Sequence, residues 1–139
     1  MAVLLTACSG GSESTKTFEL DKDGVLTTMV YTAKGDKVTK QTTENVIQYE
    51  LAGIESKEQA QQLLDPMVSQ FQNIDGVTHK LEYEDTKAIE TLAIDYEVVN
   101  IDDIEGLPGM SFSEGAKDQG ISLEKSEELL ESQGFKEVE

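Results

Sequence analysis

The chain has 139 residues, 11 Lys+Arg against 28 Asp+Glu for a formal net charge of −17, two prolines, no tryptophan and one cysteine. That is room for one domain around one core, excludes an internal disulfide, and comes with no apolar run near the roughly 18 residues of a membrane-spanning helix. So acidic a surface repels phosphate backbones, which excludes nucleic acid as a partner, keeps the body soluble, and attracts cations and basic partners.

The chain opens on Leu4-Leu5-Thr6-Ala7-Cys8, an apolar run and a small residue ahead of a cysteine, with Ser9-Gly10-Gly11-Ser12 directly behind. A bacterial lipoprotein signal has this shape at its cleavage point, and lipidation accounts for a free cysteine that would be a liability on an exported protein. Residues 1–8 therefore read as a lipoprotein signal with Cys8 as the lipidated residue. The signal is truncated: a complete one has a basic n-region and about 7 to 15 apolar residues, and residues 1–7 contain no lysine or arginine. Residues 9–16 read as a flexible tether reaching about 15 Å, and residues 17–139 as a single domain.

Phe18 and Leu20 alternate in a short strand over 17–20, closed by Asp21-Lys22-Asp23-Gly24, residue types that tolerate positive φ. Residues 25–33 predict a second strand, Lys34-Gly35-Asp36 a turn, and residues 37–49 a third strand with a bulge near Glu44-Asn45. Ser56-Lys57-Glu58-Gln59 is a capping box. Beyond it Ala60, Leu63, Leu64, Met67, Val68, Phe71 and Ile74 recur at helical spacing as a core stripe, with a bend expected near Asp65 because Pro66 removes a backbone donor. Met67 and Phe71 are read as core, without a ligand role.

Val77, His79, Leu81 and Tyr83 share one face of a fourth strand; after a turn at Asp85-Thr86-Lys87, Leu92, Ile94, Tyr96 and Val98 alternate along a fifth. A helical turn capped by Asn100 is predicted over 102–105 and a loop over 110–120. The last helix starts at N-cap Ser122, turns Leu123, Leu129 and Leu130 inward, and ends at Gly134-Phe135 in a Schellman motif. The order βββαββα predicts an α+β domain, one antiparallel sheet of about five strands with two main helices packed on one face.

Several segments in order resemble a known family: Tyr31-Thr32-Ala33-Lys34-Gly35-Asp36-Lys37-Val38, Lys40-Gln41-Thr42-Thr43, Lys57-Glu58-Gln59-Ala60 through Leu64-Asp65-Pro66, Leu107-Pro108-Gly109, and Ser122-Leu123-Glu124-Lys125-Ser126 to Gly134-Phe135-Lys136-Glu137-Val138. Together they are similar to the YehR-like family of small bacterial lipoproteins, over essentially the whole chain after the tether. The resemblance implies a cell-envelope lipoprotein with a compact α+β domain and no established activity.

The chemistry in the sequence is sparse. Nucleophilic catalysis needs a base, and His79 is the one histidine; in phase with Val77, Leu81 and Tyr83, it reads as sheltered at a sheet margin. There is no Gly-x-Ser-x-Gly elbow, phosphate-cradling glycine loop or His/Cys ligand spacing, so no catalytic residue and no cofactor is expected. Two acidic clusters, Asp21 with Asp23, and Asp102 with Asp103 and Glu105, offer the oxygen donors that Ca²⁺ takes, though neither completes an EF-hand loop. The leading expectation is a non-catalytic binding module anchored through Cys8 at the extracytoplasmic face of the membrane, meeting an unidentified protein or small ligand. Divalent cation binding is the alternative. The Thr/Lys/Gln stretch over 37–43 is the candidate edge for an added strand.

Overall fold

A computed structural model describes residues 13–107, 110, 112 and 115–138. Strands β1 (Glu13–Lys22), β2 (Val25–Lys34) and β3 (Lys37–Gln48) form an antiparallel meander. Its first turn is a two-residue loop between paired Lys22 and Val25, with Asp23 at φ 54 and Gly24 at φ 82. Consecutive left-handed residues match the twist of the flanking strands, which is why an Asp-Gly pair sits there.

The chain continues through a short helix α1 (Tyr49–Ala52) and the long helix α2 (Lys57–Gln70) to β4 (Val77–Tyr83) and β5 (Lys87–Asp95). Two short helices, α3 (Ile101–Ile104) and α4 (Ala116–Gln119), lead to α5 (Leu123–Ser132) and β6 (Lys136–Val138). The strands order as β4-β5-β3-β2-β1-β6 in one six-stranded sheet. Among the described residues no helix is long and apolar enough to cross a membrane.

The α+β class and the antiparallel sheet are as expected; several details differ. Residues 13–16, expected in the tether, pair with β2 from Glu13 opposite Lys34, because a ten-residue partner strand supplies hydrogen bonds that outweigh weak local β propensity. A sixth strand appears: β6 pairs antiparallel with β1, Val138 opposite Thr17. The bulge lies not at Glu44-Asn45, which pair regularly, but where Thr32 pairs Lys40 and Ala33 pairs Val38, leaving Thr39 as the extra residue. Its carbonyl accepts from the Tyr96 N–H at 2.9 Å, so the bulge ties β3 to the chain leaving β5. Nor is residues 37–43 an edge: β3 is flanked by β2 and β5, and the outer strands are β4 and β6. The predicted loop over 110–120 contains α4. Cys8, residues 9–12, Pro108 and Gly109 lie outside the described residues.

Both main helices begin as their caps predict. Ser56 Oγ accepts from the Gln59 N–H at 3.1 Å, while Gln59 Oε1 reaches back to the Glu55 N–H rather than to Ser56. Helix α2 runs unbroken through Pro66, but ends at Gln70, with Asn73 turning left-handed at φ 62 before Ile74. Leu63 is 56% exposed, so the buried stripe is narrower than the sequence implied. Helix α5 closes as a Schellman motif, the Phe135 N–H donating to the Leu130 carbonyl and the Gly134 N–H to that of Glu131, both at 3.0 Å, with Gly134 at φ 98.

The start of α5 is also held from a distance. Asp36, in the β2–β3 turn, accepts from the Ser122 hydroxyl at 2.7 Å and the Glu124 N–H at 2.9 Å. These donors, the Glu124 N–H first, hold its carboxyl below the usual carboxylate range. A group depressed on folding contributes stability that is complete above its unfolded pKa, about 3.9 for aspartate, and is lost as pH falls through the lower folded value. The native protein should therefore unfold at higher urea concentration than Asp36→Asn at pH 7, with the gap narrowing below about pH 4. Urea midpoints measured across that range check this, and a gap independent of pH contradicts it.

Candidate functional site

The apolar core does not run unbroken beneath the helices. One cluster joins Phe18, Tyr31, Ala33 and Val38 to Leu123, Leu130 and Phe135; a second gathers Phe71, Leu92, Ile94 and Ile104; a third, smaller, holds Tyr49, Ala60 and Ala88. Helix α5 lies over the β1–β2 side of the sheet and α2 over the β4–β5 side. Between them the inward faces of β2, β3 and β5 carry a run of polar residues, Thr27, Gln41, Thr43, Asn45 and Glu90, alongside Met29, Tyr31 and Leu92.

Over this seam the two helices leave a cleft of about 430 Å³, in the range of small-ligand sites. Met67 of α2 and Phe71, its C-cap, form one wall, Ser126, Leu129 and Leu130 of α5 with Gln133, its C-cap, the other, and Met110 and Phe112 also line it. Every methionine other than Met1, namely Met29, Met67 and Met110, lines this one cleft. Unbranched, polarisable side chains make walls that adapt to a bound shape. The reading of Phe71 as core holds, since it is buried in the second cluster, while Met67 is half-buried. Both also line the cleft.

The floor is organised by hydrogen bonds that cross strands. Thr27 donates to Asn45 Oδ1 at 2.6 Å, Asn45 Nδ2–H donates to Glu90 Oε1 at 2.7 Å, and His79 Nε2 contacts Glu90 Oε2 at 2.8 Å. A second chain runs from the Tyr96 hydroxyl to Gln41 Oε1 at 2.5 Å, and from Gln41 Nε2–H to Thr43 Oγ1 at 3.2 Å. Gln41 is 6% and Glu90 8% exposed. Buried groups of this kind are tolerated because each has a partner, and leaving one unpaired costs about 1–3 kcal/mol. Burial pushes the Tyr31 phenol up to about 12 and also raises that of Tyr96. Both face the floor as neutral hydroxyls at physiological pH.

His79 sits at the sheet margin, as its phase predicted: it is on the outer strand β4, with its side chain 2% exposed. Its ring stacks on Phe71 at 4.6 Å, and Nδ1 is buried without a partner among the described residues. It thus buttresses the cleft wall from behind while supplying one hydrogen bond to Glu90. The signal for Glu90 was present in the sequence, an acid at alternate spacing with Leu92 and Ile94; its contacts, 45 residues away to Asn45 and 11 to His79, were not.

The acidic candidates fall elsewhere and apart. Asp21 and Asp23 lie at the exposed β1–β2 hairpin end. Asp102 and Glu105 both grip Lys117 Nζ at 2.6 Å, so a side-chain ammonium already occupies the space between them, while Asp103 is exposed on α3. Lys117 is correspondingly raised, chiefly by hydrogen bonding to Asp102. Among the described residues no three His, Cys, Asp or Glu side chains come together as a metal site.

The chain is 51% identical over 139 residues to an uncharacterized lipoprotein of Listeria innocua, covering 100% of this chain and 90% of that one. It is 37% identical to the uncharacterized lipoprotein YehR of Escherichia coli over 134 residues, covering 96% and 87%. The NMR structure of Escherichia coli YehR superposes with a TM-score of 0.80 at 37% identity, covering 93% of each chain. An NMR structure of a protein from Streptococcus pneumoniae TIGR4, 17% identical, shares the fold with a TM-score of 0.60, over 99% of this chain and 92% of that one. A family model described as "Protein of unknown function (DUF1307)" matches residues 14–136, and with YehR and the Listeria lipoproteins as relatives the chain belongs to this family.

Proposed function

We propose that the protein is a lipoprotein of the cell envelope, anchored through acylated Cys8 on the extracytoplasmic face of the membrane, that binds a small amphipathic ligand without transforming it. The cleft between α2 and α5 is the observation that carries this reading: apolar, methionine-rich walls over a hydrogen-bonded polar floor. A site of that make-up buries a ligand's apolar body while a few fixed polar groups orient it. The anchor rests on the Leu4-Leu5-Thr6-Ala7-Cys8 run and on the lipoprotein names of the relatives. The non-catalytic reading is supported by His79, whose one hydrogen-bonded nitrogen faces Glu90 and whose other has no hydroxyl or thiol beside it among the described residues. A base must lie within hydrogen-bond reach of the group it activates.

Labelling the methionine methyl groups gives reporters inside the cleft. On titration with 4-phenylbutanol, a neutral amphiphile, the Met29, Met67 and Met110 signals should shift together and saturate. Gln133→Trp, which narrows the mouth from the exposed end of α5, should weaken binding about tenfold or more, equivalent to about 1.4 kcal/mol. Unmoved methionine signals at millimolar probe, in a protein that remains folded, would overturn the proposal.

A further inference from the structure

We infer, resting on the reading of the cleft as a ligand site, that its ligand is a small organic ammonium cation with an apolar body, held with its charged head at Glu90. Among the described lining residues Glu90 is the one charged side chain, and no lysine or arginine accompanies it. Among the described residues its two hydrogen-bond donors are the Asn45 amide and the His79 ring, one to each oxygen. A carboxylate offers about four lone-pair sites, so each oxygen has capacity for an additional N–H.

The walls favour the same charge. Phe71, Phe112, Phe135 and Tyr31 present aromatic rings around the cleft, and Met29, Met67 and Met110 present thioethers. Aromatic faces attract cations through the ring quadrupole, most strongly when water is excluded, and thioether sulfurs are weak acceptors with nothing to donate. Phe71 is fixed in place by the His79 ring stacked at 4.6 Å on it. At longer range, the net charge of −17 draws cations toward the protein and slows the approach of anions.

Other charge classes fit worse. An anionic ligand would bring a second negative charge to a buried carboxylate that has no lysine or arginine beside it among the described lining residues, and like charges in a low-dielectric site repel strongly. A bare divalent cation such as Ca²⁺ takes six to eight oxygen ligands, whereas Glu90 is the one carboxylate among the described lining residues, and Thr27, Asn45, Gln41 and Thr43 are already joined in hydrogen bonds. An ammonium needs only a carboxylate, a few neutral acceptors and an apolar sleeve for its carbon chain.

Three probes of one shape and different charge test this on the full chain: 4-phenylbutylamine, 4-phenylbutanol and 4-phenylbutyrate, followed by the methionine methyl signals and by calorimetry. The amine should bind about ten- to a hundredfold tighter than the alcohol, the range expected when a hydrogen bond gains a charged partner. The carboxylate should bind most weakly. In Glu90→Gln the amine should lose that advantage while the alcohol keeps its affinity within about twofold. If Glu90→Gln does not fold, the ranking on the native protein decides alone. Equal affinities for all three probes, or a preference for the carboxylate, overturn the cation inference but leave the cleft as a ligand site; no binding of any probe overturns both.

Discussion

Replacing Phe18 by alanine is expected to destabilise the protein by about 3–5 kcal/mol, the range for deleting a buried phenyl ring and leaving a cavity. Phe18 is 1% exposed, the largest of the fully buried side chains, and its ring meets that of Tyr31 edge-to-face at 6.1 Å. It also stands where β1, the helix α5 and the final strand converge: its backbone pairs Met29 on one side and Glu137 on the other, and its side chain packs in the cluster with Leu123, Leu130 and Phe135. The cavity would open beneath α5 and loosen the cleft wall along with the core. Leu63→Ala is the control, because Leu63 belongs to the apolar stripe of α2 in sequence but is 56% exposed. Its cost should be no more than about 0.5 kcal/mol, as for surface substitutions generally. Urea unfolding of the two variants separates them, and similar midpoints would mean that the α2 stripe is packed as deeply as Phe18.

Gly76→Ala should cost about 2–5 kcal/mol, from two additive sources. Gly76 has φ +84, a conformation that costs an L-residue about 1–2 kcal/mol. A Cβ there would also stand 2.7 Å from the Val99 backbone nitrogen and 3.0 Å from the Asp95 carbonyl oxygen. Neither can swing aside as a flexible side chain would, since the Val99 N–H donates to the Asp95 carbonyl and the Asp95 N–H to that of Gly76 itself, at 2.9 and 2.7 Å. Overpacking of this kind adds about 1–3 kcal/mol. Gly53 has a similar φ, +76, with nothing among the described residues within 4 Å of the added atom, so Gly53→Ala reports the backbone strain alone. The excess of Gly76→Ala over Gly53→Ala measures the close approach of the β4 entry to the turn after β5. Equal losses would show that no such contact exists.

Much of this architecture was legible because it is local. Ser56 and Ser122 cap helices whose first turns lie within three residues of them, and Gly134 ends α5 through bonds that reach back at most five residues. Alternation placed His79 at a sheltered margin before any neighbour was known, and Asp23-Gly24 announced its turn by residue type. The resemblance to YehR-like lipoproteins added the family, which the relatives and the matching fold uphold.

What stayed hidden is what depends on a partner distant in the chain. Strand β6 is three residues long, too short for a period to show, and exists because the turn at Gly134 delivers it alongside β1. The Thr39 bulge arises from the mismatch between β2 and β3, and no residue type at Thr39 marks it. The polar seam is the clearest case: Thr27, Asn45, Glu90 and His79 come from four strands and look in sequence like ordinary breaks in an apolar pattern.

The amino-acid sequence by itself determined the secondary elements with strong periods or caps, the α+β class, the acidity and the candidate anchor at Cys8, since each is a property of neighbouring residues or of composition. Only the tertiary structure decided which strands lie at the edges, that a polar seam divides the core, and that two helices stand far enough apart to leave a cleft above it. Those features are set by strand register and helix placement, which collect side chains from across the chain into one space that no local pattern describes.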